Sequence, residues 1–487
     1  MPPDGSGRIS RGHVTSVRTS LIWSAARNWG TRLGSVVVFI VVARVLPPSQ
    51  LGLFATAATV IAVAELVAEN GLGEAVVQAP ELDERMLSAA LIVNVLLGAA
   101  VAGVLLLAGP WLEAALDASG LGAILSVVVL VILLNAFSYV PQAYLRRRFE
   151  FRWLAFRALV ATGVSGAVGI AMALSGFGVW SLVAQALLAA LLNLVLIWRA
   201  KPWRPRLVAP TAAAPLFKVS GHIFGSKLVD FVANRGIELA IAAGAGPAAL
   251  ALWVMASRPW AVLMQLISAV TMDVALPSFA RLASERDALL RAYYVSIQTT
   301  VAIGTPVFVL LAMVAPEVMA VLFGDNGRDG GFVLTLLSLL GAMQLLQYYN
   351  GTLLNALGLS HKSFRISLVK AAAISVALFV TFGQSLWNVA LGFTVAQVLV
   401  TPLSFAIASR AVNYSISHLL RLIAPFLLAE AVACAAILLA REWGPHIDSA
   451  LLRGLSLGVL GGVTYLAAAF LFNRHALMRI VSSIVSR

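Results

Sequence analysis

The sequence predicts an all-α, polytopic membrane protein, and three observations carry that prediction. Apolar residues make up 60% of the 487-residue chain and charged residues only 11%, with a mean hydropathy of +0.93. A soluble protein of this length needs far more polar surface. The apolar residues gather into fourteen stretches of the length, about 20 residues, that crosses a hydrocarbon core as a helix. The cations between the stretches fall almost entirely on one side.

Met1–Ser20 is polar and carries Arg8, Arg11 and Arg18. The apolar run behind it is too long for a signal-peptide core and has no small-residue cleavage site, so the segment reads as a cytoplasmic tail. Six spans follow at 20–43, 51–70, 86–108, 120–142, 153–175 and 177–198. Six more lie at 216–242, 248–275, 289–313, 332–357, 364–383 and 385–408, with a last pair at 419–440 and 450–472. Spans seven and eight are the least hydrophobic. Pro47 and Pro48 impose a stiff bend between the first two spans, and Pro259 and Pro306 sit inside spans, where a helix can kink. No loop is long enough to hold a soluble catalytic domain, so function must lie in the bundle.

With the N-terminus inside, cytoplasmic segments hold 24 of the 34 Lys and Arg residues. They include Arg146, Arg147, Arg148, Arg152, Arg199, Lys201, Arg204, Arg206, Lys362 and Arg365. Periplasmic segments hold four, Arg44, Arg328, Arg441 and Arg453. This asymmetry places both termini in the cytoplasm, and one extra or missing span would destroy it. It also absorbs most of the formal charge of +13, so no nucleic-acid partner is expected.

A weak internal repeat is visible. Aligning LPPSQLGLFA (46–55) with GPAALALW (246–253) on Pro48 and Pro247 sets Leu51 against Leu250 and Phe54 against Trp253. Basic loops ending at Arg152 and Arg365 also correspond, as do Trp180 and Trp387. The implied organisation is a tail at 1–19, an N-lobe of six helices at 20–206, a C-lobe of six at 207–414, and a final helix pair with a tail at 415–487. Transporters built from such repeats hold their site at the repeat interface near the midplane.

Six cations lie within spans: Arg27, Arg32, Arg157, Lys227, Arg235 and Arg258. An ionisable group at mid-membrane costs roughly 2.5–3.5 kcal/mol on insertion scales, which argues for a water-filled cavity. Arg27, Arg32, Lys227, Arg235 and Arg258 come from the early spans of both lobes and are the candidates for holding an anionic substrate. Lys227, Asp230, Asn234 and Glu238 form one stripe along a helix. Local pairs, Lys227 with Asp230 and Arg235 with Glu238, would satisfy that stripe but do not account for Arg32 and Arg258. Glu65, Glu69, Asp230, Glu238 and Asp273 are the candidates for proton or ion coupling, with Glu430 a further acid inside a span. The same acids could equally serve to balance the arginines.

The single cysteine, Cys434, excludes a disulfide framework and a multi-cysteine metal site. His222 and His361 are isolated, and no cofactor or metal is expected. Trp111, Trp180, Trp203, Trp387 and Trp443 stand near span ends as interface anchors, while Trp260 could face the cavity.

Several segments carry a family resemblance: ARVLPPSQLGLFA at 43–55, ENGLGEAVVQ at 69–78, VPQAYLRRRFEFR at 140–152, GFGVWSLVAQ at 176–185, WRPRL at 203–207, LPSFARL at 276–282 and LLNALGLSHK at 353–362. In order and spacing the chain resembles the bacterial polysaccharide flippases, Wzx-type proteins of the colanic acid and succinoglycan exporter branch. That branch lies within the multidrug/oligosaccharidyl-lipid/polysaccharide exporter superfamily. The resemblance implies a two-lobed, fourteen-helix transporter of the bacterial inner membrane. Its cargo would be undecaprenyl-pyrophosphate-linked oligosaccharide repeat units for exopolysaccharide, capsule or lipopolysaccharide. It further implies an inter-lobe cavity lined by cations at Arg27, Arg32, Lys227, Arg235 and Arg258, with a polymerase and a chain-length regulator as partners. Where the family commonly has a Gly-Pro-Glu turn after the first span, this chain has Pro47-Pro48-Ser49-Gln50, so no charge acts there. The alternative is an ion-coupled multidrug exporter, whose site should be acidic and aromatic rather than rich in arginine. An enzyme is disfavoured because no nucleophile, base or metal cluster is visible.

Overall fold

The apolar stretches fold as helices because hydrocarbon offers no partner for a backbone N–H or C=O, and a helix satisfies both internally. The computed structural model describes residues 30–201, 203–445 and 447–485. Arg27 lies outside them, as do the side chains of Asp230 and Asp273.

The helices run in order as α1 at 30–45, then α2 Pro48–Glu69, α3 Leu72–Gln78, α4 Glu84–Ala115, α5 Leu121–Arg147, α6 Phe151–Leu174 and α7 Trp180–Arg199. After a 3-10 turn at Pro210–Ala213 come α8 Ala214–Gly244, α9 Gly246–Arg281, α10 Arg286–Met313 and α11 Ala315–Phe323. A second 3-10 segment, Gly324–Gly330, leads to α12 Gly331–Ala356, α13 Ser360–Val380, α14 Leu386–Val412, α15 Ile416–Trp443 and α16 Ala450–Val485.

Among the described residues, twelve helical stretches are long and apolar enough to cross a membrane. They match spans two to six and eight to fourteen of the sequence. Of the other two spans, α1 is described only from residue 30, and α8 carries Lys218, Lys227, Asp230, Arg235 and Glu238 along its length. The stretch that matches span ten is longer than expected, because α11 and a 3-10 segment precede α12. Pro316 starts α11 without loss, since its missing N–H falls in a first turn.

Side-chain and backbone contacts fix the helix ends. Asp83 accepts a hydrogen bond from the Met86 amide at 2.6 Å and opens α4. The Glu113 carboxylate accepts from the Gly120 and Gly122 amides, each at 2.8 Å, and ties the end of α4 to the start of α5. Ser415 accepts from the His418 amide at 3.2 Å at the start of α15.

The chain divides into two compact units, 1–248 and 249–487. In the first, Ala57, Ile61, Leu121, Ile124, Leu125, Val128, Ile132 and Val183 form one core, from α2, α5 and α7. A second core joins Leu72, Val76, Leu87, Val140 and Trp203. Trp203, expected at the membrane interface, is buried instead, edge-on to Tyr144 and packed on Trp198. In the second unit, Phe279, Tyr293, Ile297, Leu353, Phe426 and Tyr465 lie at the centre. Trp260 packs with Met264, Phe308 and Leu345 in a smaller cluster. Large apolar side chains such as Leu107, Phe379, Leu399 and Leu471 stay exposed, which suits helices whose outer solvent is lipid.

Candidate functional site

The charged site of the first unit is built at a corner between α2 and α3. Glu69 is the last residue of α2, and Glu74 lies in the first turn of α3. Between them Asn70 and Gly71 take left-handed conformations, φ 40° and 76°, which Asn tolerates and Gly adopts freely. This reversal brings two carboxylates five residues apart to one place.

Arg147 holds the corner from beyond. Its guanidinium donates to the carbonyls of Val76, Val77, Ala79 and Pro80. Val76 and Val77 lie in the last turn of α3, whose carbonyls have no amide left within the helix to accept from, and Ala79 and Pro80 follow it directly. The basic motif around Arg147 reads in the sequence as a topology signal; the structure gives this arginine a second task.

Lys227 reaches the corner from α8. Its ammonium donates to Glu69 Oε1 and to Glu74 Oε2, both at 2.9 Å, and all three side chains are 27–31% exposed. The sequence suggested a local pair with Asp230, whose side chain lies outside the described residues; Lys227 pairs across to α2 and α3. One ammonium between two carboxylates leaves a net charge of −1.

Further along α8, Arg235 Nη1 donates to Glu238 Oε2 at 2.7 Å, the local pair that the i,i+3 spacing allows. Thr59 Oγ1 of α2 lies 3.5 Å from the same carboxylate oxygen. The contacts Glu69–Lys227 and Thr59–Glu238 run in opposite order along the two helices, so α2 and α8 pack antiparallel. Glu65, one turn before Glu69, accepts from Asn135 Nδ2 of α5 at 2.5 Å. Arg157 is buried and donates to Gln142 Oε1 at 3.0 Å. Arg32 on α1 and Arg258 on α9 have exposed side chains.

The structure therefore brings Lys227 to Glu69 and Arg235 to Glu238. Glu74 is absent from the sequence-derived set. Its signal was the Asn-Gly reversal in ENGLGE, which turns a spacing of five into a contact. Among the described residues, no group of three or more His, Cys, Asp or Glu is placed to hold a metal ion.

Comparison with known proteins agrees with this architecture. A family model described as "Polysaccharide biosynthesis protein" matches residues 41–328. The chain belongs to this polysaccharide biosynthesis protein family. As a family member it is 24% identical over 478 residues, 96% of each chain, to the succinoglycan biosynthesis transport protein ExoT of Rhizobium meliloti. It is 22% identical to the lipopolysaccharide biosynthesis protein WzxC of Escherichia coli, over 81% of each chain. Its fold is that of the lipid II flippase MurJ in an inward closed conformation, with TM-score 0.73, 13% identity and coverage of 94% of this chain and all of that one. An inward-facing multidrug resistance MATE transporter of the MOP superfamily follows at TM-score 0.61 and 15% identity, covering 80% of this chain and 98% of that one. The resemblance carried by the sequence motifs is borne out, and this family member is a multi-pass, all-helical membrane protein of the transporter fold.

Proposed function

We propose that the protein moves undecaprenyl-pyrophosphate-linked oligosaccharide repeat units from the cytoplasmic to the periplasmic leaflet of the bacterial inner membrane. The products would feed exopolysaccharide, capsule or lipopolysaccharide assembly. Family membership and a MurJ-like fold support the class of cargo. The observation that carries the mechanism is Lys227, an ammonium on α8 held between Glu69 and Glu74. An intramembrane charge with named partners is a functional group by default.

Arg27, Arg32, Arg235 and Arg258, with Lys227, would hold the pyrophosphate, because guanidinium forks match phosphate oxygens and keep their charge while the ammonium adds a point charge. Lys227 is already engaged by two carboxylates, so a pyrophosphate that takes it must displace them. Cargo binding and release of the α2–α3 acids are then one exchange. The freed acids, with Glu65, Asp230, Glu238 and Asp273, would take up a proton or ion before the next cycle. Alternating access would come from movement of an N-lobe, 20–206, against a C-lobe, 207–414, with both termini cytoplasmic and the pair from 415 on appended. A polymerase and a chain-length regulator would use the product. No chemical step on the cargo is needed.

The test is a deletion strain of the source bacterium, scored for surface polysaccharide and for the sidedness of the lipid-linked repeat unit. Loss of polysaccharide with the unit accumulating on the cytoplasmic face is the expected result. A unit that still reaches the periplasm, together with lost resistance to cationic drugs, would move the assignment to drug export.

A further inference from the structure

At the end of α15 and the start of α16, the second unit contains a small basic cavity. Ala440, Arg441, Gly444, Pro445, Arg453 and Leu460 are among the residues that line its 170 Å³. That volume far exceeds the ~15 Å³ a single water needs.

Its charge is set by two arginines and one acid. Arg441 Nη2 donates to Glu317 Oε2 at 2.6 Å and to the Met313 carbonyl at 2.7 Å. Glu317 is buried, and Arg453 Nε lies 3.7 Å from its other oxygen. Gly454 lets α16 come this close, since a Cβ there would stand 3.0 Å from Glu317 Cβ. Two guanidiniums against one carboxylate leave the group at +1. Arg441 Nε is buried and, among the described residues, makes no hydrogen bond. The cavity thus offers positive charge and an unused donor. Glu442, in the last turn of α15, and Asp448, in the loop after it, are exposed and are not among the described lining residues.

The surroundings are those of a bilayer edge. Trp443 is 84% exposed beside the cavity, and Leu439, Leu452, Leu455 and Val459 leave large apolar surface on the same two helix ends. A tryptophan at the end of an apolar helix sits at headgroup level. Leu457 and Leu460 give the lining an apolar side.

We propose that this cavity is a binding site for the phosphate of an anionic phospholipid headgroup, gripped by Arg441 and Arg453. None of the proposed cargo cations is among its described lining residues, and the site does not depend on the identity of the cargo. Arg453 forks onto the phosphate, because its bond to Glu317 is long and its side chain is 42% exposed. Arg441 stays on Glu317 and contributes charge.

The test uses the full chain in detergent and three probes: lysophosphatidylglycerol, uncharged monoacylglycerol and inorganic phosphate. Arg453→Gln keeps the Arg441–Glu317 pair intact, and Arg328→Gln removes an exposed cation elsewhere as a control. The expected result is saturable lysophosphatidylglycerol binding, weakened roughly tenfold in Arg453→Gln, as the loss of one charge-assisted hydrogen bond requires. Arg328→Gln should bind as the parent does, and monoacylglycerol should not distinguish the variants. Equal lipid affinity in parent and Arg453→Gln would overturn the proposal. Saturable binding of inorganic phosphate without lysophosphatidylglycerol binding would also overturn it, by giving the cavity a soluble ligand.

Discussion

Gly52 on α2 and Pro247 at the start of α9 meet backbone to backbone. A Cβ built on Gly52 would stand 1.7 Å from the Pro247 carbonyl oxygen and 2.3 Å from its carbon. No side-chain rotation relieves such a clash. Both residues belong to the segments that the internal repeat aligns. Gly52→Ala should therefore force the backbones apart at a cost of about 1–3 kcal/mol. A thermal melt of the purified protein should show a lower midpoint, and an unchanged midpoint would mean that the two backbones part easily.

Lys227 shares its charge between two partners, so removing either one is milder than removing both. Glu69→Gln and Glu74→Gln should each leave a stable protein, while the double variant strands a half-buried ammonium. In a double-mutant cycle, Lys227→Met with Glu69→Gln should give a coupling of roughly 0.5–3 kcal/mol, the range for residues in direct contact. Additive effects in chemical unfolding would show that the ion pair contributes nothing to the folded state.

Arg147 is predicted to stabilise α3 rather than merely mark the cytoplasmic side. Arg147→Ala leaves the α3 carbonyls without their donor, at about 1–3 kcal/mol, whereas Arg148→Ala should have little effect. Protease sensitivity and hydrogen exchange of residues 72–80 would report the difference. Equal protection in the two variants would contradict this role.

Glu430 of α15 is buried, accepts from Thr305 Oγ1 at 2.5 Å and, among the described residues, forms no ion pair. A buried unpaired carboxylate is costly, and glutamine keeps the acceptor while removing the charge. Glu430→Gln should leave the melting midpoint unchanged or raise it. Glu430→Ala should lower it by removing both the hydrogen bond and the packing. A large drop in Glu430→Gln would show that a charge-dependent partner had been lost.

Most of the helices were legible because each apolar stretch is long and its ends carry breakers or charge. Span seven, expected at 216–242, becomes α8 at Ala214–Gly244 despite its five charged residues. The short helices α3 and α11 were not legible. α3 was hidden because Glu69, Asn70 and Gly71 end the second span and leave only seven helical residues behind them; α11 was hidden because the apolar run continues past Met313 and only the Pro316 start divides it. Of the site, Lys227 and Glu69 could be named singly from their improbable position in a span. Their pairing could not, since they are 158 residues apart and nothing in a helix period connects them. Arg235 and Glu238 could be paired, because three residues of helix fix their approach. Glu74 was hidden in a segment read as loop.

Transport of a pyrophosphate-linked lipid is tested most directly with purified protein in sealed vesicles. The vesicles would contain undecaprenyl-pyrophosphate-linked oligosaccharide, and an external glycosidase would report how much faces outward. Vesicles with the protein should expose inner-leaflet oligosaccharide with time, and vesicles with the Arg32→Ala, Arg258→Ala double variant should not. Exposure at the protein-free rate in vesicles that hold correctly folded protein would contradict flipping as its activity.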